Sequence, residues 1–375
     1  VGNIYKSGDL GAPNYLEAAK WFLKGCDQNV SNACNRLGSL YVSDTFSRKD
    51  DQVALKYFER GCELGGENAC ANIGVLHGNE KYAIANRDWK IAVLRLREGC
   101  EAKYDWACDD LGKIYRSEKL GKPDPKKAEL WFQEGCAQNN SNACAYLADL
   151  YEDGDLGAAN YELAASFFKQ GCDLTSDWAC ARLGRLHYRG DITGADIDVA
   201  AKLMSEGCHA GQEWACDEAG DIYLDETLND VSEEKALEEA LKLYLSGCSQ
   251  GNGYACQMYA TLFSNDYYFP ADNKIAYKYF SEGCNLNDGF SCAQQAVFID
   301  FKKGGAQGEG APELYIKSLK LGSDIALRTG DELPHETLRT IQKFLKREGF
   351  YSGAIDGIFG LGTKTAMESV INAAN

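Results

Sequence analysis

Three sets of side chains in this chain could do chemistry: sixteen cysteines, four histidines and a serine, Ser166, placed three residues before a lysine. The cysteines dominate. They fall into eight pairs of one spacing, C-x7-C: Cys26 with Cys34, Cys62 with Cys70, Cys100 with Cys108, Cys136 with Cys144, Cys172 with Cys180, Cys208 with Cys216, Cys248 with Cys256, and Cys284 with Cys292. An even number of thiols at a fixed short spacing predicts a disulfide framework, each first cysteine bonded to its own second. Two other readings stand beside it. Zinc sites place thiolates roughly two to four residues apart and often add histidine, and neither feature matches here. Reduced cysteines of a cytosolic protein would leave unexplained why only these two positions of each repeat carry cysteine.

The serine lies in Ser166-Phe-Phe-Lys169, an S-x-x-K spacing in which a lysine one turn away can activate a serine nucleophile. Serine β-lactamases pair that element with S-D-N and K-T-G, and the sequence contains neither companion. In repeat register Ser166 takes the place of Lys20, Lys56 and Lys202, a surface position. His77 and His187 occupy a ring position filled by tyrosine in most other repeats. His209 follows Cys208 and reads as loop, and His335 lies near the start of the final segment. No H-E-x-x-H or comparable metal constellation occurs in the sequence. The expectation is a non-enzymatic chain with no catalytic residues, no cofactor and no metal.

The elements that must position the cysteines follow from geometry. Residues eight apart on an unbroken helix are separated by roughly 12 Å, while a disulfide tolerates Cα atoms no more than about 7 Å apart. The chain must therefore reverse inside every C-x7-C, one helix ending near the first cysteine and another starting near the second. A glycine precedes the first cysteine in all eight pairs, and the intervening segments are rich in Asn, Asp, Ser and Gly, which suit helix ends and N-caps. First cysteines recur every 36, 38, 36, 36, 36, 40 and 36 residues, the period of a solenoid. Eight residues before each first cysteine stands alanine (Ala18, Ala54 and so on), and four before it a large apolar residue such as Phe22, Phe58 or Leu96. Four after each second cysteine the residue is small (Gly38, Gly74, Gly112), and seven after it is usually a ring (Tyr41, His77, Tyr115). The unit is helix, loop, helix, and the fold class is all-α, an α/α solenoid.

The pattern Leu37-Gly38-x-x-Tyr41, then Ala54-x-x-Tyr57-Phe58-x-x-Gly61-Cys62, resembles the Sel1-like repeat, and with its paired cysteines it is similar to the cysteine-rich Sel1 proteins of Helicobacter. The resemblance spans roughly residues 1 to 300. It implies a right-handed, TPR-like superhelix of antiparallel helix pairs whose concave face binds a protein partner. Cysteine-rich Sel1 proteins have also been linked to penicillin binding and β-lactam hydrolysis, which makes a weak hydrolase or sensor of β-lactams or cell-wall peptides the alternative. The sequence opens inside a repeat, since Gly2-x-Ile4-Tyr5 matches Gly38-x-Leu40-Tyr41. No signal peptide and no apolar run of about 18 residues is read from it. Departures from the repeat are an enlarged loop expected at 224–236, Arg95 in place of a bulky residue, and a last unit with Gln295 and Ile299 expected to act as a cap.

After Phe301 the cysteines stop. A glycine-rich stretch at 304–312 reads as a flexible joint, and 313–328 as one short helix. The final stretch, with Gln342-x-x-Leu345-x-x-x-Gly349-Phe350-Tyr351 and Asp356-Gly357-x-Phe359-Gly360-x-x-Thr363, resembles the peptidoglycan-binding domain 1 family, a small three-helix module. Leu361 stands where that family often has proline, and the last helix lacks the usual late Phe-Gln. The division expected is a solenoid over 1–301, a linker with a short helix over 302–332, and the module over 333–375. Tyr351, Asp356, Gly357, Phe359, Gly360, Thr363 and Lys364 are the candidate peptidoglycan-binding residues. Structural roles compete with that reading: Asp356 would organise the Asp-Gly turn, Thr363 would N-cap the last helix, Phe359 would pack in the core, and Tyr351 would either pack or stack on sugar.

Charge divides the chain in the same way. The whole carries −17, whereas 333–375 holds five basic and four acidic side chains. An acidic solenoid is a poor nucleic-acid binder, so nucleic acid is not an expected partner. Peptidoglycan stems bear carboxylates, which the near-neutral module approaches more easily than the rest. The sequence-level reading is an envelope scaffold, periplasmic or secreted, with peptidoglycan and a protein as partners. Sel1 repeats joined to such a wall module occur in periplasmic proteins of polar organisation.

Overall fold

Each C-x7-C segment folds as the reversal its spacing demands. A computed structural model describes residues 1–7, 11–225, 228–229, 231–303 and 310–374. Most of the glycine-rich joint expected at 304–312 lies outside the described residues, as do Glu226, Thr227 and Asp230. Helix α1 (Gly2–Ser7) is followed by helix pairs: α2 (Tyr15–Asp27) with α3 (Ser31–Tyr41), α4 (Asp51–Glu63) with α5 (Glu67–Gly78), α6 (Trp89–Glu101) with α7 (Asp105–Arg116), and α8 (Pro125–Ala137) with α9 (Ser141–Glu152). They continue as α10 (Tyr161–Asp173) with α11 (Asp177–Arg189), α12 (Ile197–His209) with α13 (Glu213–Asp225), α14 (Glu233–Ser249) with α15 (Gly253–Leu262), and α16 (Asn273–Asn285) with α17 (Gly289–Asp300). Helices α18 (Ala311–Lys320), α19 (Ile325–Arg328), α20 (His335–Arg347) and α21 (Leu361–Ala374) complete the chain. Two compact units result, residues 1–180 with 191–193, and 181–190 with 194–375.

All eight bridges form within their own C-x7-C. Cys26 bonds Cys34, Cys62 bonds Cys70, Cys100 bonds Cys108, and Cys136 bonds Cys144. Likewise Cys172 bonds Cys180, Cys208 bonds Cys216, Cys248 bonds Cys256, and Cys284 bonds Cys292. Their Cα atoms lie 4.4 to 4.7 Å apart, and no cysteine is free. Each first cysteine sits in the last turn of its helix, and each second cysteine in the first turn of the next: Cys34 is the fourth residue of α3, Cys70 of α5, Cys108 of α7 and Cys144 of α9. The same holds for Cys180 in α11, Cys216 in α13, Cys256 in α15 and Cys292 in α17. Closing a loop of this length removes roughly 2.5 kcal/mol of unfolded-chain entropy in the loop-closure picture. The reversal itself is a Schellman turn. In the first pair the Val30 N–H donates to Gly25 O at 3.0 Å and the Asn29 N–H to Cys26 O at 2.9 Å, which satisfies carbonyls the helix end would leave open. The residue three after the first cysteine takes left-handed backbone every time: Asn29, Gly65, Lys103, Asn139, Thr175, Gly211, Gly251 and Asn287.

Packing explains the sequence pattern. The alanines eight before each first cysteine are fully buried, and the large residues four before are at most 6 % exposed. The small residue after each second cysteine is the notch that receives the large residue of the following repeat. A Cβ on Gly38 would lie 2.7 Å from the Phe58 ring, one on Gly112 2.4 Å from Phe132, and one on Gly220 2.6 Å from Tyr244. The glycine before each first cysteine has a different cause: it lets a neighbouring second helix approach, that of its own pair with Ala33 against Gly25 and Ala69 against Gly61, and that of the preceding repeat with Ala71 against Gly99 and Ala181 against Gly207.

Three local expectations change. Helix α13 runs to Asp225, and α14 has 17 residues where the other cysteine-bearing first helices have 13. The four extra residues of that repeat therefore form one more helical turn rather than an enlarged loop, started by Ser232, whose hydroxyl accepts from the Lys235 N–H. His209 is the last residue of α12, not loop. Residues 313–328 make two helices, α18 and α19, with a turn between them.

That turn repeats the solenoid's own geometry. Ser323 N–H donates to Ser318 O at 3.0 Å and Gly322 N–H to Leu319 O at 3.1 Å, and Gly322 has φ +79°. These match Gly66 on Gly61, Gly65 on Cys62 and the left-handed Gly65. In this register Leu319 and Leu327 stand where the cysteines would, Ala311 is the alanine eight before, and Tyr315 is the fully buried ring four before. Residues 311–328 are a ninth, cysteine-free repeat with its second helix cut to one turn. The eighth unit is thus not the cap: Ala293 and Ala296 of α17 share one core with Tyr315, Leu319, Leu338, Ile341, Met367 and their neighbours. Within 333–375 the described residues form two long helices, α20 and α21, and the third helix packed with them is α18.

Candidate functional site

Helix α20 is strongly amphipathic, with Leu338, Ile341 and Leu345 turned into the core. Gln342 is fully buried among them, and a buried amide must find partners. It finds them in the loop that carries the candidate residues. Its Nε2 donates to Asp356 Oδ1 at 2.9 Å, Ile358 O at 3.1 Å and Thr363 Oγ1 at 3.1 Å, and its Oε1 accepts from the Gly357 N–H at 2.8 Å. His335 Nδ1 lies 2.8 Å from Gly357 O. Gly357 is obligatory there: its φ is +76°, and a Cβ would sit 2.6 Å from His335 O.

Around this hub the candidate residues divide into interior and surface. Asp356 Oδ1 accepts from the Ile358 N–H at 2.9 Å, so Asp356 does organise the Asp-Gly turn. The Gln342 amide and then the Ile358 N–H hold its carboxyl below the usual carboxylate range. Thr363 is not the N-cap of α21. It lies two residues inside the helix, 1 % exposed, where its hydroxyl donates to Ile358 O at 3.3 Å. The helix starts one turn earlier than an N-cap at Thr363 requires, because Gly360 O already accepts from the Lys364 N–H. Phe359 is half-buried, its ring lying on Gly330 much as Phe58 lies on Gly38. Tyr351 is half-buried against the core, its hydroxyl donating to Ala354 O at 2.8 Å. Gly360 and Lys364 face solvent, beside an apolar edge that the sequence reading missed: Ile355, Ile358 at 57 % and Leu361 at 81 % exposure. Their signal was available, since Leu361 stands between two glycines and Ile355 and Ile358 flank the Asp-Gly pair.

On the repeats the other candidates resolve into structural roles. The Ser166 hydroxyl donates to Leu163 O at 2.7 Å, while Lys169 Nζ reaches Asp173 at 2.9 Å, so the two side chains serve different partners. His77 and His187 are acceptors: the Asp88 N–H donates to His77 Nδ1 at 2.9 Å and the Asp196 N–H to His187 Nδ1 at 3.1 Å. Cys248, Cys256 and Glu282 come close together, but both sulfurs are spent in a disulfide. The second helices carry polar and aromatic side chains in mutual contact. In the first unit Lys113 bonds Asp109 at 2.8 Å and lies 4.8 Å from the Tyr146 ring. In the second, Arg185 pairs with Glu218 and stacks 4.0 Å over Trp214. Burial pushes the carboxyls of Asp109 and Asp217 up to about 6.

Disulfide-stapled helix pairs stacked by knob and notch define an α-solenoid of the repeat class. The chain belongs to the Sel1 repeat family, whose model matches residues 1–30, 31–66, 107–140, 141–176, 179–212, 228–252 and 253–288. Such repeats are typical of protein–protein interaction scaffolds. Among solved structures it is similar to c5321, a protective antigen of uropathogenic Escherichia coli with an SLR fold, at 16 % identity and TM-score 0.66, covering all of this chain and 82 % of that one. A Sel1 repeat protein of Oxalobacter formigenes aligns at 18 % identity and TM-score 0.50, covering 76 % of this chain and 98 % of that one. Helicobacter pylori cysteine rich protein B aligns at 21 % identity and TM-score 0.21, covering 45 % and 94 %. No curated protein matches the sequence. No helix among the described residues is long and apolar enough to cross a membrane.

Proposed function

We propose that the chain is a non-enzymatic scaffold of the bacterial envelope, in which the Sel1 solenoid of residues 1–301 holds a protein partner and residues 333–375 bind peptidoglycan. The observation that carries this reading is the change in surface at the cysteine-free end. Residues 311–375 hold eight basic and eight acidic side chains, so 1–310 bears the whole charge of −17. A polymer bearing carboxylates is repelled by the acidic repeats and tolerated by the neutral end. There Tyr351, Asp356, Gly360 and Lys364 border the exposed edge of Ile358 and Leu361, an amphipathic surface suited to sugar and short peptide. Gly357, Phe359 and Thr363 set the backbone of that edge. The repeats offer carboxylates and stacked rings on their second helices, which suits a protein with a basic patch docking on the concave face. Eight disulfides fit an oxidising compartment, periplasmic or extracellular.

The test is co-sedimentation of the full chain with purified sacculi. Deleting 333–375 would strip the core from α18, so substitutions are the better control. Wild type should pellet, and Leu361→Asp with Tyr351→Ala should bind several-fold more weakly at unchanged helical content. A wild-type chain that stays in the supernatant, or one that turns over nitrocefin steadily, would replace this reading.

A further inference from the structure

A cleft of about 370 Å³ opens between α18 and α20, lined by Glu313, Ile316, Lys320, Lys343, Phe344 and Arg347 among others. Its floor is apolar, Ile316 and the edge of Phe344. Its walls carry three basic side chains against one acidic: Lys320 Nζ lies 4.9 Å and the Arg347 guanidinium 5.7 Å from the Phe344 ring centroid. Lys343 stands one turn before Arg347 and Arg339 one turn before Lys343, so three like charges run down one stripe of α20. Like charges at this spacing destabilise a helix by a few tenths of a kcal/mol per pair. The acids nearby offset them only in part: Glu313 lines the cleft outside ion-pair range of its cations, Glu336 reaches Arg339 only at 3.7 Å, and Glu348 takes Arg347 on an exposed pair. Some lysines on the repeats find carboxylates, as in Lys103–Glu134 and Lys119–Glu80. Lys320 and Lys343 have no carboxylate in ion-pair range among the described residues. In a chain with 56 acidic and 39 basic side chains, two uncompensated ammonium groups and a guanidinium converging on one apolar floor call for an anionic occupant.

We infer that this cleft takes the carboxylate of a peptidoglycan stem peptide, with Lys320, Lys343 and Arg347 holding the anion and Ile316 and Phe344 receiving the small methyl side chains beside it. The inference rests on the peptidoglycan reading above and deepens it. The exposed edge at 355–361 meets glycan, and the peptide is held in a separate site half built by the ninth repeat. Residues 333–375 therefore do not contain the whole binding surface, because Lys320 and Ile316 come from α18.

The full chain should be sedimented with teichoic-acid-free sacculi at low salt, as wild type, as Lys320→Glu/Lys343→Glu, and as Lys56→Glu/Lys202→Glu, which makes the same charge change on the repeats. All four lysines are exposed, so each variant should melt like wild type. The cleft variant should bind tenfold or more weakly, the control within about twofold of wild type. Sacculi whose stem carboxylates have been amidated should bind wild type as poorly as native sacculi bind the cleft variant. Equal binding of wild type and the cleft variant would overturn the cleft while leaving the peptidoglycan reading intact, as would undiminished binding to amidated sacculi. Failure of wild type to bind native sacculi would remove both.

Discussion

At His77 the repeat exchanges one acceptor for another. In most repeats the first residue before the next helix hangs its N–H on the backbone carbonyl of the ring residue, as Asp50 does on Tyr41 at 2.9 Å and Asp124 on Tyr115 at 2.7 Å. Where histidine stands, the ring Nδ1 takes that N–H instead, and the His77 carbonyl is left for Arg87 at 3.0 Å. An accepting Nδ1 must be unprotonated. His77 is 6 % exposed, and burial, followed by the Arg87 charge, holds its pKa below the ordinary histidine value against the pull of Asp88. The unfolded chain then binds the proton more readily than the folded one. The stabilisation is fully present above pH of about 6.5 and is lost as pH falls below it toward the folded pKa. Asp109 and Asp217 work in the opposite sense, since their raised pKa values favour the folded state as pH falls through about 6. The variant comparison isolates the histidine: His77→Asn keeps an acceptor near Nδ1 and cannot be protonated. Thermal melts at pH 7.5 and 5.0 should show a smaller acid-induced loss of Tm for His77→Asn than for wild type. Equal losses would remove His77 from the acid response.

Two glycines of α4 and its turn separate the two demands that the helix pair makes on sequence. Gly61 is needed for approach: a Cβ there would lie 2.8 Å from Ala69 Cβ and 3.2 Å from Ser31 O of the preceding repeat. Gly65 is needed only for its φ of +80°, with open space around it, and asparagine tolerates that backbone. Gly61→Ala should cost about 1–3 kcal/mol in chemical denaturation, by the usual penalty for overpacking a close contact. Gly65→Asn should cost well under that, and comparable losses for the two would refute the distinction. The first demand was legible, because glycine stands before all eight first cysteines. The second was not. Asparagine, glycine, lysine and threonine all occur at the left-handed position, and a backbone requirement met by four residue types leaves no pattern to read. The extra turn of α14 escaped for a related reason. Ser232-Glu-Glu is a helix start in sequence, but a loop of acids and asparagine reads the same until the next repeat fixes where the helix must begin. In the final segment the Asp-Gly turn was readable, whereas the buried Gln342 that ties Asp356, Ile358 and Thr363 together was not. A polar side chain inside an amphipathic helix declares its partners only once the loop has folded over it.

Across the whole molecule the cysteines were the clearest sign of the solenoid, and they gave no sign of the repeat geometry that continues past them. Eight repeats announced themselves by C-x7-C, and the ninth, at 311–328, carries leucine at both positions and so fell silent. Its geometry is nonetheless that of the others: the same turn hydrogen bonds, the same left-handed third residue, and the same alanine and ring on the buried stripe. Physical economy explains the exchange. The second helix of this unit is only Ile325–Arg328, and its ends are held by a core shared with α20 and α21 rather than by a covalent staple. The register predicts that the staple can be restored. Leu319→Cys with Leu327→Cys places two thiols eight residues apart across a Schellman turn of the native kind, where the eight natural pairs close at 4.4 to 4.7 Å between Cα atoms. The oxidised double variant should hold nine disulfides by intact mass, and its new bridge should return roughly 2.5 kcal/mol of loop entropy. The lost leucine packing costs about 2–5 kcal/mol per buried leucine truncated to alanine, somewhat less for cysteine. The informative comparison is therefore the double variant against Leu319→Ser/Leu327→Ser, which cannot form the bridge and should melt lower. Two thiols that remain open to alkylation under the conditions that close the other sixteen would show that 311–328 does not share the register of the repeats.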